Sequence, residues 1–160
     1  MSPSLKNILL NINAGYAFFT SSIYMGVMWA LHFFWYPGWH YLNQGNVQDA
    51  FVGPTSLATK FFTILVPIMM VSCIILIITE WKNPVRWTTW VITAGIIGAT
   101  VVGKMLIIPI NQTIAAGVAD QQTLNDLLER WMNLNNIRMA ITTVMWLGCL
   151  FYFMLRKNMA

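Results

Sequence analysis

Residues 104–138 read KMLIIPINQTIAAGVADQQTLNDLLERWMNLNNIR, and this stretch joins two very apolar segments through a polar interval. The second apolar segment already contains an arginine, Arg138, close to its start. Elsewhere the chain is mostly apolar and carries few charges, whereas polar side chains accumulate here near the ends of the apolar segments. We therefore expect this stretch to build half of any functional site.

The composition is typical of a membrane protein. Of the 160 residues, 58% are hydrophobic and only 9% are charged, and the mean hydropathy is +0.62. Soluble domains carry about a quarter charged residues, so the deficit is large. The net charge of +4 is dispersed along the chain and forms no basic patch for nucleic acid. Membrane lipids are the expected surroundings, and nucleic acid is not an expected partner.

Four apolar segments are long enough to cross the hydrocarbon core, which takes about 20 residues in a helix. They cover approximately residues 14–36, 58–79, 87–108 and 137–155. Pro37 is expected to end the first segment and Pro109 the third, whereas Pro67 should kink the second from inside. The sequence predicts an all-α integral membrane protein, with one domain over residues 1–160 and four transmembrane helices in an antiparallel bundle.

The fourth helix is predicted to be long. After Pro109 the chain should leave helical structure until about residue 122, and Thr123 with Asp126 three residues later should cap the next helix. No Gly or Pro then interrupts the chain before Gly148, and the resulting helix would be about 50 Å long. Because this length exceeds the membrane thickness, its first two turns should project from the bilayer.

Small residues recur at every fourth position in the first and third segments. The two sets are Ser22, Gly26 and Ala30 in the first segment and Gly95, Ala99 and Gly103 in the third. This spacing lets membrane helices approach closely, so we expect both helices to pack tightly, on each other or on another chain. The first connection should contain a short surface helix near residues 39–42, with breaks at Gly45, Gly53 and Pro54.

The basic residues of the short connections fall on one predicted side of the membrane. They are Lys6, Lys82, Arg86, Arg156 and Lys157. The positive-inside rule then places both termini in the cytoplasm and turns the first and third connections outward. No cleavable signal peptide is evident, so the first segment is interpreted as a retained span. The chain's size and short loops suggest the bacterial inner membrane.

Three ionisable side chains near the predicted outer boundary are candidates for chemistry: His32, Lys104 and Arg138. Ionisable residues within a span mark functional sites by default. His32 has an alternative role as hydrogen-bonding glue between helices, and Lys104 has one as a side chain that reaches the interface. Arg138 precedes a continuous apolar run, and two roles are open for it: its side chain reaches outward, or it lies in the bundle and pairs with Asp126, Glu129 or an anionic substrate.

Several classes of chemistry lack the residues that they need. The sequence has no nucleophile–base–acid set, no Gly-rich phosphate loop and no Cys-x-x-Cys motif, so hydrolysis and phosphoryl transfer have no support. The segments also lack the mid-membrane acidic residue that is typical of ion transporters. His32, His40 and Asp49 match no metal-ligand spacing, and no metal site is predicted. A haem held by a single histidine remains open as a cofactor. Cys73 and Cys149 lie deep in apolar runs and should be buried.

The second half of the chain resembles a known family. Pro109-x-Asn111, followed by Trp131, Asn135 and Arg138, resembles the closing signature of the anthrone-oxygenase-like family of small four-helix membrane proteins. Many relatives carry a histidine shortly before this arginine, where the present chain has Asn136. The resemblance implies a four-helix membrane fold. For some relatives it implies oxidation of anthrones to anthraquinones by molecular oxygen without a well-defined cofactor, whereas most have no assigned activity.

Two classes of function follow from these residues. The first is an oxygenase-like enzyme for a hydrophobic aromatic substrate, with His32 as the base and Arg138 and Lys104 stabilising the substrate anion. The substrate would be bound by Asn111, Trp131 and Asn135. The second is a non-catalytic accessory or assembly subunit of a membrane complex, or a homo-oligomer, which co-purification with a partner would reveal. A haem or metal protein is a third alternative, which an absorbance spectrum tests.

Overall fold

The computed structural model describes residues 3–157, apart from the side chains of residues 3, 4, 6 and 157. Lys6 and Lys157, which contributed to the predicted topology, are therefore outside the described side chains. Across the described residues the chain is helical and contains no strand. The five α-helices are α1 (Pro3–Ala30), α2 (Gly53–Glu80), α3 (Arg86–Val102), α4 (Ile108–Ala116) and α5 (Gln121–Lys157).

Wider or tighter helical turns join these helices into four long rods. In the described part of the chain the rods cover Asn7–Tyr41, Gln48–Glu80, Arg86–Ala116 and Gln121–Arg156, and each is long and apolar enough to cross a membrane. The prediction of an all-helical chain with four long apolar helices is confirmed. Each rod is longer than its predicted span, and in the first and third rods helical structure continues past the prolines that were expected to end it, Pro37 and Pro109.

Three π-helical turns explain how the rods pass their prolines. They are π1 (Leu31–Trp35), π2 (Gln48–Val52) and π3 (Gly103–Ile107). Pro37, Pro54 and Pro109 each lie two residues after the end of one of these turns. A proline lacks an N–H and its ring crowds the carbonyl four residues back, and a wider turn accommodates both defects without ending the helix.

Three boundary predictions, at Pro37, at Gly53–Pro54 and at Pro109, were therefore wrong. Pro109 does not end the third rod, because it occupies the first turn of α4, where a proline ring fits and no donor is lost. Gly53 and Pro54 do not break the chain, because they form the first turn of α2 directly after π2. Pro37 falls within a 3-10 helix over Tyr36–Tyr41, which includes most of the predicted surface helix. Pro67 does lie inside α2, as predicted.

Helix α5 begins two residues before its predicted start. Gly117 ends α4 with φ 95°, a conformation that favours glycine, and the chain turns within residues 117–120. Asp120 then caps α5, since its Oδ1 accepts the Thr123 N–H at 2.7 Å. This bond is the first cause of the lowered pKa of Asp120. Thr123 is thus the capped residue rather than the cap, and α5 extends over about 55 Å.

The rods contact one another in the ring order α1, α2, α3, α5 and back to α1. The small residues of α3 face α5 rather than α1: a Cβ added to Gly95 would lie 2.6 Å from the Cβ of Met145. The expected close packing of the third helix is confirmed, with α5 as its partner. In α1, Ser22 contacts α5 by accepting the Trp146 indole N–H at 2.9 Å, whereas a Cβ added to Gly26 would meet nothing within 4 Å inside the chain.

A buried polar network closes the end of the bundle at which α2 ends. The Glu80 carboxylate is only 1% exposed and accepts hydrogen bonds from Tyr152 Oη at 2.8 Å and from the Asn83 amide. Arg156 Nε lies 3.4 Å from Glu80 Oε1, and Arg156 also donates to Asn11 Oδ1 at 3.0 Å. Three rods are joined here around one carboxylate, whose charge is compensated.

Candidate functional site

An apolar cavity of about 540 Å³ lies in the opposite half of the bundle, toward the connections at residues 42–47 and 117–120. All four rods line it, and residues of π1, π2 and π3 all contribute to the lining. Its volume falls within the range of pockets that hold small organic ligands. Most lining side chains are aliphatic or aromatic. The polar or charged ones outside α2 are Tyr24, Thr100, Lys104, Asn111, Asn135 and Arg138, and we call the space the Arg138 cavity.

Arg138 is held in a fixed position at the cavity wall. Its Nη2 donates to Tyr24 Oη at 2.6 Å, and its Nη1 donates to Asn135 Oδ1 at 2.8 Å. The guanidinium also lies 5.4 Å from the centre of the Tyr24 ring. Gly103 leaves room beside the group, since a Cβ there would come within 3.5 Å of Arg138 Cζ. The guanidinium is thus oriented by three neutral neighbours, Tyr24, Asn135 and Gly103, and keeps its positive charge.

The charge of the cavity wall is not balanced by an acid. Lys104, in π3, is exposed and also lines the cavity, whereas no Asp or Glu does. Among the described residues, one buried side-chain polar atom lacks a hydrogen-bond partner, and this atom is Nε of Arg138. Asp126 and Glu129, which were candidate partners of Arg138, lie in a separate surface groove instead. The cavity lining therefore contains two cations and no carboxylate.

Asn111, Trp131 and Asn135 form a hydrogen-bonded chain next to Arg138. The Trp131 indole N–H donates to Asn111 Oδ1 at 2.6 Å, which ties α4 to α5. Asn135 Nδ2 donates to the Trp131 carbonyl at 3.0 Å, and this bond leaves Asn135 Oδ1 free to accept from Arg138. Because Trp131, Asn135 and Arg138 are spaced by four and three residues, they share one face of α5.

An aromatic cluster closes the end of the cavity near the two connections. Trp39, Phe51 and Trp131 are all buried, and their ring centres lie 4.9–5.4 Å apart. Edge-to-face and tilted ring pairs of this kind stabilise one another and present a rigid apolar surface. The cluster joins the 3-10 helix after α1, π2 and α5, and so it fixes the rim of the cavity.

The cavity is open along α2. Several of its lining residues are also exposed, namely Trp35, Pro54, Ala58, Thr63, Pro67 and Lys104. Three threonines of α2, spaced four residues apart, contribute to this wall, and each hydroxyl donates to the carbonyl four residues back: Thr55, Thr59 and Thr63. Their hydroxyls thus have acceptors within the helix, and the wall along α2 stays largely apolar in character.

His32 lies outside the cavity lining. Its Nδ1 donates to Asn136 Oδ1 at 2.9 Å, and its ring packs against Phe33 and Tyr36. The contact joins the first and fourth rods, as expected for the alternative role of hydrogen-bonding glue. His40 stacks on Tyr41 at the exposed rim. Neither histidine reaches the Arg138 cavity, and a haem ligand at His32 would not face this space.

Five of the six site residues proposed from the sequence line one cavity: Lys104, Asn111, Trp131, Asn135 and Arg138. Sequence reasoning missed Tyr24, and the one feature that could have indicated it was a hydroxyl group inside an apolar segment. It also missed the threonines at every fourth position of α2, although that spacing marks one helix face.

The described residues offer no cluster of three His, Cys, Asp or Glu side chains that could hold a metal ion. Cys73 and Cys149 are free and buried, as predicted. The chemistry that the cavity supports is electrostatic: a fixed guanidinium and a nearby ammonium can stabilise an oxyanion on an apolar molecule. Against known proteins, no family model, no curated protein and no solved structure matches this chain.

Proposed function

We propose that the chain is an integral membrane protein whose four rods form an antiparallel bundle across a bacterial inner membrane. The outer faces of the rods support insertion, since they expose many large aliphatic side chains, including Ile64, Ile68 and Ile78. Contacts between α1 and α5 support the antiparallel arrangement: Ser21 meets Cys149, Trp29 meets Thr143, and His32 meets Asn136. A cytoplasmic location of both termini is part of this proposal, and the positive-inside rule supports it through the basic residues of the sequence near the Glu80 end.

Within this bundle, the Arg138 cavity binds a hydrophobic aromatic molecule that enters from the lipid. The observation that carries this proposal is a guanidinium fixed by Tyr24 and Asn135 at the wall of an otherwise apolar cavity of about 540 Å³. The aromatic cluster of Trp39, Phe51 and Trp131 suits a planar ring system. The opening along α2 lies on the lipid-facing side of the bundle, so the ligand need not cross water.

The reaction that fits this cavity is oxygenation of an enolisable aromatic ketone, as the resemblance to anthrone oxygenases implies. A methylene C–H of the substrate gives its proton to water, and Arg138 stabilises the enolate that remains. The carbanion carbon adds to O₂, forming a C–O bond and a peroxide. Loss of the second C–H proton with cleavage of the O–O bond yields a ketone and one water. O₂ is the oxidant and the substrate methylene is the electron donor, so no separate reductant is needed.

His32 is not assigned the proton transfer in this scheme, because its ring does not line the cavity. Water at the exposed rim is the proton acceptor, and Lys104 adds a second positive charge there. In this scheme the chain contributes to catalysis by stabilising the substrate anion. Removal of one hydrogen-bond donor to such an anion typically lowers the rate about 100- to 1000-fold.

The test uses the full chain in lipid nanodiscs with anthrone as substrate, following O₂ uptake and the absorbance of the quinone. We expect turnover in the wild type and a loss of at least about 100-fold in Arg138→Met. Arg130→Met is the matched control, since Arg130 is an exposed residue of α5 outside the cavity. No O₂ uptake in the wild type, or equal rates in both variants, would refute the oxygenase proposal.

A second candidate is an accessory subunit of a membrane complex. It is favoured by Gly26 of α1, which is exposed and where a Cβ would meet nothing within 4 Å, so this position leaves room for a helix of another chain. Extraction in a mild detergent distinguishes the candidates. A subunit should migrate with a stoichiometric partner that Gly26→Leu removes, whereas the enzyme should be active and alone.

A further inference from the structure

The unbalanced positive charge of the Arg138 cavity points to a more specific ligand. Two cations line the cavity, Arg138 and Lys104, and no carboxylate does. The five acidic residues of the chain are all elsewhere, and among the described residues the one ion pair joins Arg156 to Glu80 at the other end of the bundle. Arg138 is half-buried, and withdrawing a cation partly from water without a counter-charge is costly.

Arg138 is prepared for an acceptor that the chain does not supply. Its two bonded partners, Tyr24 Oη and Asn135 Oδ1, are neutral, and they use two of the five N–H groups of a guanidinium. Nε is buried without a partner. Both partners approach through Nη1 and Nη2, so they hold the plane of the group but do not neutralise it. An oxyanion in the cavity, beside the Nη groups, would supply the missing negative charge.

We infer that the Arg138 cavity selects lipophilic aromatic monoanions, such as an aromatic carboxylate or an enolate, over neutral molecules of the same shape. The inference rests on the proposed function, because it assumes that the cavity binds an aromatic molecule. It goes further by making the negative charge the basis of selection. Arg138 contacts the anionic oxygen, and Lys104 at the exposed rim draws the anion in.

An aromatic monoanion suits the cavity better than a phospholipid headgroup. The charged wall lies beside Trp39, Phe51 and Trp131, whose buried rings form a rigid apolar surface within reach of a planar ring system. A phosphate diester would instead have to bring its glycerol and polar headgroup into the apolar interior, where nothing in the lining provides for them beyond the same two cations.

The test compares two probes of nearly equal shape, 9-anthracenecarboxylate and 9-anthracenemethanol, by fluorescence titration of the full chain in phosphatidylcholine nanodiscs at neutral pH. We expect the carboxylate to bind about 10- to 100-fold more tightly than the alcohol, which corresponds to a hydrogen bond with a charged group. Arg138→Met should abolish this difference and leave alcohol binding in place, which also shows that the variant is folded.

Two further variants make the assignment sharper. Arg138→Lys should retain part of the preference, since it keeps the charge and loses the planar fork. Lys104→Met should weaken carboxylate binding less than Arg138→Met, and Arg130→Met should change neither probe. Because Lys104 is exposed, its contribution should fall as salt is added.

The possible outcomes separate the two proposals. If both probes bind equally to the wild type, the anion selection is wrong and the cavity remains a binding site for aromatic molecules. If neither probe binds, the proposed function fails, and this inference fails with it. If nanodiscs containing phosphatidylglycerol abolish carboxylate binding in proportion to that lipid, the occupant is an anionic lipid headgroup and the aromatic assignment is wrong.

Discussion

At the scale of single residues, the positions of a few polar side chains determine what the cavity can do. Arg138 is useful to a ligand because Tyr24 and Asn135 fix its plane, and Asn135 is fixed in turn by the Trp131 carbonyl. A flexible arginine would pay rotamer entropy on each binding event, whereas this one has already lost it. The support around Arg138 is therefore as important to the site as its charge.

The hydroxyl of Tyr24 should contribute measurably to this support. Tyr24→Phe removes the 2.6 Å bond to Arg138 and keeps the ring. We expect the free energy of unfolding to fall by about 1–3 kcal/mol, as for a hydrogen bond to a charged group, and binding of aromatic carboxylates to weaken. Unfolding in detergent mixtures measures the first effect. The control is Tyr16→Phe on the same helix, and equal losses in both variants would contradict the role of Tyr24.

Asp120 should make the stability of the α5 start dependent on pH. Its pKa is lowered in the folded protein, first by the Thr123 N–H, so its stabilisation is complete above the unfolded pKa of about 3.9. That stabilisation is lost as the pH falls through the folded pKa. Asp120→Asn keeps the acceptor oxygen and should flatten this part of the melting-temperature profile below about pH 4. An unchanged profile in Asp120→Asn would show that other carboxylates cause the dependence.

At the scale of elements, the π turns are the features that sequence patterns did not reveal. A proline after an apolar run gives the same signal whether the helix ends or widens by one residue and continues. At Pro109 the outcome depends on tertiary contacts, because Asn111 must lie within the helix to accept the Trp131 N–H. The length of the apolar runs nonetheless predicted the four long helices, since length and apolarity are local properties of the sequence.

The contact between Tyr24 and Arg138 was beyond prediction for a different reason. The face of α5 that carries Trp131, Asn135 and Arg138 is visible in the sequence as a spacing of four and three. The partner face of α1 is not, because a helix that is apolar all round carries no periodic mark of its core side. Residues 114 positions apart therefore met through packing that local patterns do not encode.

A deletion distinguishes a π turn from an ordinary helical turn. Removing Met105 from π3 should convert the turn to α-helix and leave the helices on both sides in register, so the bundle should stay folded. Removing Ile97 from α3 should rotate the following residues by about 100° and disrupt the contact of α3 with α5. Both residues are exposed and apolar. Monodispersity and melting temperature in detergent provide the measurement, and equal damage by both deletions would contradict this account of π3.

At the scale of the whole molecule, the two ends of the bundle have different roles. The Glu80 end is joined by a compensated network of hydrogen bonds and an ion pair, whereas the opposite half contains the cavity and all three π turns. Wider turns make fewer regular contacts, and they occur often at functional sites. The molecule thus combines a rigid end with an end that has room for a ligand.

The network at Glu80 should be a main source of stability. Arg156→Met leaves the buried Glu80 carboxylate without its ion-pair partner, and we expect a loss of about 2 kcal/mol, less than for a fully buried pair because Arg156 is 20% exposed. Glu80→Gln in the same chain should recover part of it. The exposed Arg86→Met is the control, and the readout is unfolding in detergent mixtures. Additive losses in the double variant would contradict the pairing.

Because the Arg138 cavity is open along α2, its occupancy by a hydrophobic ligand must be expressed relative to the lipid. If the bundle is inserted as proposed, Ala58, Thr63 and Pro67 face acyl chains rather than water. A hydrophobic ligand then exchanges with a two-dimensional reservoir, and the quantity that sets saturation is its mole fraction in the lipid. Dissociation constants referred to aqueous volume should therefore rise in proportion to the lipid added at fixed protein, while constants referred to lipid stay unchanged.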